Sequence, residues 1–210
     1  MPRNVPPVVP AGRMRDSRQP VLPAPGGLTL RPWRPADAGV VLAAYADPGI
    51  SHWHRRTLAS EDEAQHLIEG WNRGWRAETD GGWAIVSGDP GQVAGRVTLG
   101  KISLEGGLAR CGYWVLPAAR GSGIATRAVL GLSRWALDDL GLHRLELGHS
   151  VANEASCRVA SKAGFRLEGT LHAALLHPDG WHDMHLHAQI RDSGPRPAAA
   201  ADADGALDRP

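Results

Sequence analysis

Only two cysteines, Cys111 and Cys157, occur in this chain of 210 residues, and they make neither a C-x-x-C pair nor a metal-ligand spacing. A disulfide framework is thereby excluded, and a reduced, cytoplasmic setting is the simplest expectation. Lysine is equally scarce, with Lys101 and Lys162 alone, so the basic charge is nearly all arginine and the formal net charge is only +1. Such a balance gives no general attraction to nucleic acid or to an anionic membrane, and any phosphate binding has to be local. No apolar run approaches the length that spans a bilayer. The N-terminus carries arginines and prolines without an apolar h-region, so neither a membrane span nor export is expected. Internal repeats are absent as well.

With 42% hydrophobic residues the chain can bury one good core, and it is too short for two full-sized domains. Residues 1–27 hold seven of the sixteen prolines and almost no periodicity, and they read as a disordered leader. Residues 191–210, rich in alanine with Ser-Gly-Pro and Asp-Gly, read as a second solvated tail. The folded domain is expected at 28–190. Within it Leu28 to Trp33 reads as a strand ended by Pro32, and Pro35 starts a helix running to about Ala46. Ser60-x-x-Glu63 is a capping box for a helix to Arg76, with Ala64, Leu67, Ile68, Trp71 and Trp75 at helical spacing. Trp53, Trp71 and Trp75 fit either core or a substrate mouth. Trp83–Val86 and Val93–Leu99 read as strands paired around the turn 88–91, and Leu108–Val115 continues this meander.

The stretch that declares a chemistry comes next. Tyr113, Trp114 and Val115 end a strand at Pro117, Gly121 and Gly123 follow, and an apolar helical pattern begins at Ile124. Glycines let a backbone approach a ligand, and the free N–H groups at a helix start favour an anion, so the segment suits a phosphate. It lacks the Gly-Lys-Ser/Thr ending of a P-loop and the third glycine of a dinucleotide fingerprint. The helix ends at Gly141. Leu145, Leu147 and His149 share one side of a further strand, and Asn153 to Ala163 forms a helix capped by Gly164. Asp183 to Ile190 alternates strictly, with Asp183, His185, His187 and Gln189 on one side, and pairs antiparallel with Phe165–Leu175 across the turn 177–180.

Arg120-x-x-Gly123-x-Ala125 resembles the pyrophosphate-binding signature of the GNAT superfamily of N-acetyltransferases. Five further motifs follow in register: Gly112-Tyr-Trp-Val115, Leu140-Gly-Leu-His-Arg-Leu145, Asn153-x-x-Ser156-x-Arg-Val-Ala160, Gly164-Phe-x-x-Glu-Gly169 and Gly180-Trp-x-Asp183. Together they resemble the branch that acetylates ribosomal-protein N-termini. The resemblance implies a mixed α/β fold: a mostly antiparallel central sheet of about seven strands, splayed between the fourth and fifth, with about four flanking helices. It further implies acetyl-CoA as acetyl donor, its pantetheine lying between Leu108–Val115 and Leu145–His149. The CoA-binding residues would be Trp114, Val115, Arg120, Gly121, Ser122, Gly123, Ile124, Ala125, Thr126, Asn153 and Ser156. The acceptor would be a protein or peptide N-terminus. A small amine, such as an antibiotic or polyamine, and a non-catalytic CoA-binding homologue are the alternatives; homodimerisation stays open.

The reaction itself sets the roles to be filled. A free amine attacks a thioester, an oxyanion needs donors, and the leaving thiolate needs a proton. Backbone N–H groups near Trp114 and Val115 suit the oxyanion. Asn153 suits pantetheine and Ser156 the sulfur, although Asn at an N-cap with Ser three residues on is also good capping chemistry. No carboxylate base is found, because Leu175 stands where the related enzymes often have glutamate. His149 is the candidate proton acceptor and Asp183 the candidate contact for the substrate amine, each with a plain structural alternative. Arg127, where the family often has glutamate, fits a phosphate contact or a plain surface position. His172, His177, His182, His185 and His187 invite a metal. None is expected, because no sulfur ligand or acidic cluster stands near them in the sequence.

Overall fold

The computed structural model describes residues 5–88 and 91–191. Its strands are β1 (Leu22–Ala24), β2 (Leu28–Pro32), β3 (Gly81–Ser87), β4 (Gln92–Ser103), β5 (Leu108–Val115), β6 (Arg144–Ser150), β7 (Arg166–His177) and β8 (Gly180–Ile190). The helices are α1 (Ala38–Ala46), α2 (Pro48–His54), α3 (Glu61–Arg76), α4 (Ile124–Arg134) and α5 (Glu154–Lys162). One sheet runs in the order β1-β2-β3-β4-β5-β6-β8-β7. Every neighbour is antiparallel except β5 and β6. A parallel pair needs a long crossover, and α4 supplies it.

The two faces carry separate cores. Ile124, Ala128, Val129 and Leu132 of α4 pack with Ala160 of α5 on Val97, Leu99, Leu145 and Leu147. On the other face α1 to α3 bring Val41, Tyr45, Ile50 and Ile68 against Trp33 and Trp114. Trp75 joins Trp83 and Trp135 in the first core, while Trp71 packs beside Trp33 with the Arg96 guanidinium 4.0 Å over its ring. Both tryptophans therefore belong to the scaffold, and Trp53 alone of the three stands at the cleft described below.

Two elements exceed the expected seven strands and four helices, and both have a physical cause. The segment 5–27, expected as a disordered leader, is bound along the domain. Val9 and Met14 are buried to 2% and 0% exposure, and Leu22 and Ala24 enter the core as β1. Glu78 accepts the backbone N–H groups of Gly12, Met14 and Arg15, and the indoles of Trp75 and Trp83 donate to the carbonyls of Ser17 and Pro20. A proline-rich segment loses little entropy when it docks, so a few well-placed apolar side chains suffice to hold it. The second element, α2, starts at Asp47, whose carboxylate accepts the Ile50 N–H at 3.0 Å, with Pro48 at the first helical position. Residues 89 and 90 of the expected β3–β4 turn, and 192–210 of the expected tail, lie outside the described residues.

Candidate active site

β5 and β6 pair from Leu108↔Arg144 to Cys111↔Leu147 and then part. Each is held on its other side, β5 by β4 as far as Val115 and β6 by β8 as far as Ser150, so a wedge opens between them. A cleft of about 580 Å³ occupies that wedge. The Leu116 N–H bonds Ala94 O, and Arg96 stands opposite Trp114, so alternation turns the backbone groups of Tyr113 and Val115 away from β4 and into the cleft. This corrects part of the expected oxyanion site. The Trp114 amide serves the ladder and its ring is buried against Trp33 and Tyr45, so of the two N–H groups only that of Val115 faces the cleft.

At one end the cleft is rimmed by Arg120, Gly121, Gly123, Ile124, Ala125 and Thr126. Gly121 and Gly123 sit at φ +78° and +74°, a left-handed backbone that turns the loop into the first turn of α4. The Arg120 side chain folds back, its Nε donating to Val115 O at 3.2 Å and its terminal nitrogen pairing with Asp47. It thus ties the loop to α2 while remaining half exposed at the cleft rim. Ser122 differs from expectation too: its hydroxyl donates to Ala119 O at 2.8 Å, outside the lining. Arg127 clasps the carbonyls of Ser122 and Gly26, bracing the loop from behind.

On the floor, Tyr113 Oη donates to Ser156 Oγ at 2.9 Å. Burial pushes the Tyr113 phenol up from its ordinary pKa, against the hydrogen bond to Ser156, so it stays protonated. Asn153 Oδ1 accepts the Ser156 backbone N–H at 3.0 Å, so capping and a cleft position coexist. The cap uses the Ser156 backbone and leaves its hydroxyl free of that duty.

His149 is brought to the cleft wall, but both ring nitrogens are engaged. Nδ1 donates to Ser150 O at 2.8 Å, and Nε2 stands 3.1 Å from His187 Nε2. Burial holds its pKa down, and the charges of His187 and His185 add to this, against the Ser150 backbone bond. His149 Nε2 is thus turned to His187 and not to a substrate amine in this arrangement. Asp183 is likewise occupied elsewhere: its carboxylate accepts from Ala173 N at 2.8 Å and meets His172, holding the bulge in β7 where Ala173 has φ +43°. The histidine face of β8 is not an open polar surface. His187 is 1% exposed, and Cys157 of α5 stands among His149, His185 and His187. The sulfur whose absence argued against a metal is therefore present in space.

The opposite end of the cleft is built by residues with little local signal. Trp53 and His54 come from α2, Leu175 and His177 from β7, and Met184 from β8. His54 Nε2 donates to the cleft-facing carbonyl of Tyr113 at 3.0 Å, which leaves the lone pair on Nδ1. Burial lowers its pKa to about 4, and the nearby Arg96 charge adds to this against the Tyr113 bond. His54 is therefore neutral. The Asp47-Pro48 start of α2 was the signal that could have located Trp53 and His54. Among the described lining residues, every ionisable side chain is histidine, arginine, lysine, tyrosine or cysteine.

A family model described as "Acetyltransferase (GNAT) domain" matches residues 27–166. The ribosomal-protein-serine acetyltransferase of Escherichia coli is 31% identical over 102 residues, 49% of this chain and 57% of that one. The structure of Mycobacterium smegmatis RimJ with CoA-disulfide superposes with a TM-score of 0.73 at 27% identity, covering 84% of this chain and 88% of that one. Spermidine N-acetyltransferase from Vibrio cholerae, in complex with CoA and spermine, shares the fold at a TM-score of 0.70 and 20% identity, over 79% and 96% of the two chains.

Proposed function

This chain belongs to the GNAT family of acetyltransferases, and from that premise we propose that it moves the acetyl group of acetyl-CoA to the α-amine of a protein or peptide N-terminus. The N–H groups of the Gly121–Ala125 turn receive the pyrophosphate, with Arg158 and Lys162 of α5 on the same cleft. Pantetheine lies in the wedge, where the Asn153 amide nitrogen is free to donate while its oxygen caps α5. The Val115 N–H meets the thioester oxygen and stabilises the charge that develops there. The amine attacks the thioester carbon, and as the C–S bond of the resulting tetrahedral intermediate breaks, Ser156 gives its hydroxyl proton to the thiolate while the Tyr113 hydrogen bond steadies the Ser156 oxygen. The nitrogen sheds its extra proton to water and water returns one to Ser156, so that the net products are the amide and the CoA thiol.

The observation that carries the choice of acceptor is the lining itself, which presents cations and neutral rings and no carboxylate among the described residues. A polyamine needs acidic partners for its charges, and a lysine near pKa 10.4 needs a base to expose its lone pair. An α-amine near pKa 7.7–8.0 is already partly neutral at physiological pH. The Tyr113–Ser156 pair, poised for a leaving group, favours an enzyme over a CoA-binding homologue without turnover.

Thiol release from acetyl-CoA tests this with four acceptors: a lysine-free peptide with an open N-terminus, an N-blocked peptide carrying lysine, spermidine and an aminoglycoside. The open peptide is expected to be the best, with a rate that rises along its own titration. Preference for the lysine peptide or for either small amine at neutral pH would overturn the acceptor. CoA binding without release from any acceptor would overturn the activity.

A further inference from the structure

In the register of the sheet His149 of β6 lies opposite His185 of β8, and His187 follows two residues on, on the same face. α5 covers that face and brings Cys157 to it, so that one nitrogen or sulfur from each of the four residues lies within 4.8 Å of all the others. A tetrahedral zinc ion with bonds of about 2.0–2.3 Å has ligand-to-ligand edges of about 3.3–3.8 Å. The four donors are therefore within about an ångström of closing on one. The His149 ring is already oriented for it: Nδ1–H is spent on the Ser150 carbonyl, which places the lone pair on Nε2, as backbone partners do for ligating histidines. Nδ1 of His185 is buried without a hydrogen-bond partner, so the cluster leaves a polar nitrogen unsatisfied.

We propose that His149, His185, His187 and Cys157 form a site for one zinc-class divalent ion, with three neutral imidazoles and a thiolate. On binding, the Cys157 thiol loses its proton to solvent as the sulfur–metal bond forms, and the hydrogen that His187 Nε2 shares with His149 moves to Nδ1 of the same ring. Nothing is oxidised or reduced, and one proton is released per ion. Four protein ligands close the coordination sphere, so the ion braces the fold and takes no part in chemistry. It would clamp α5 to β6 and β8 directly beside Ser156. The inference does not depend on the acetyl-transfer reading, because its test reads the metal.

The test uses the untagged full-length chain stripped with chelator and titrated with Co²⁺ as the probe. One cobalt per chain is expected, with the intense visible bands of tetrahedral coordination and a thiolate-to-cobalt charge-transfer band, displaced by Zn²⁺. Cys157→Ser should abolish the charge-transfer band, and His185→Ala should weaken binding by at least about tenfold, the low end of what losing even an indirect partner costs. Circular dichroism in chelator checks that both variants fold. In the unmutated chain Zn²⁺ should protect Cys157 from alkylation, whichever way the variants behave. Non-saturating binding, an octahedral cobalt spectrum, or Cys157 alkylation indifferent to Zn²⁺ would overturn the site.

Discussion

Tyr113 Oη and Ser156 Oγ meet at 2.9 Å across the floor of the cleft, joining the free end of β5 to the first turn of α5. Because Ser156 accepts in this bond, its own hydrogen remains available to a departing thiolate. The pair spans the wedge at the place where the sheet itself has no hydrogen bonds to offer. Ser156→Ala is expected to lower kcat by about a hundredfold, the low end of general acid catalysis, with little change in the KM for acetyl-CoA. Tyr113→Phe should cost about fivefold, the worth of one ordinary hydrogen bond. The cap on α5 uses the Ser156 backbone, so folding should survive both changes. A lower melting temperature with an intact rate of the folded fraction would remove Ser156 from the mechanism.

Gly123 holds a left-handed φ of +74° with open space where a Cβ would stand. Gly123→Asp should therefore fold and yet bind CoA at least about a hundredfold more weakly, because it places a negative charge at the helix start to which the proposed function assigns the pyrophosphate. Gly123→Asn is the control, since asparagine tolerates that backbone and carries no charge. Calorimetry showing equal CoA affinity for the Asp variant and the unmutated chain would displace the phosphate from this turn.

Met14 is fully buried in the segment that composition marks as disordered. Met14→Ala is expected to cost about 2–5 kcal/mol, measured by urea unfolding. Glu78→Gln should also destabilise, because the carboxylate gathers three backbone N–H groups of the same segment. Unchanged midpoints in both variants would mean that the segment does not dock.

His54 has its pKa lowered to about 4 by burial and by Arg96, against an ordinary 6.5. The unfolded chain then binds the extra proton and the folded one does not between these values, so stability rises with pH through that window. This contribution is complete above about pH 6.5 and is lost progressively as pH falls toward about 4. His54→Gln keeps a donor for the Tyr113 carbonyl and removes the titration. In chelator, its melting temperature should fall less between pH 6.5 and 4.5 than that of the unmutated chain. Parallel curves would show that His54 does not titrate as placed.

Much of the scaffold is legible without a structure because the signals are local. Half of the capping box at Ser60 and Glu63 forms as read, with Ser60 accepting the Glu63 N–H at 3.2 Å, while the Glu63 carboxylate takes the N–H of Ala59 in place of that of Ser60. β8 forms over the alternating run, although its histidine side is as covered as its apolar side, and Gly141 and Gly164 carry the positive φ of helix ends. The glycine turn before α4 is equally local, since two glycines and an apolar periodicity suffice to announce it. The segment before residue 28 escaped because its few apolar residues have no period, and only the surface of the finished domain gives them a place to be buried.

The sequence by itself determined the glycine turn and, β1 and α2 apart, the order of elements, because chain-local propensity and spacing encode them, while the splay between Leu108–Val115 and Leu145–His149 was implied by the family resemblance and not by any local signal. Tertiary structure alone decided which groups face the splay and which do not. Sheet alternation turns the Val115 N–H and not that of Trp114 to the cleft, the ion pair with Asp47 ties Arg120 to α2, and the bulge at Ala173 takes Asp183. It also joined what the chain keeps apart: His54 lies 59 residues from its partner Tyr113, and Tyr113 lies 43 from Ser156. Cys157 reaches His149, His185 and His187 only because a helix folds back over two strands. Contacts of that kind depend on packing between elements, and no periodicity within one element records them.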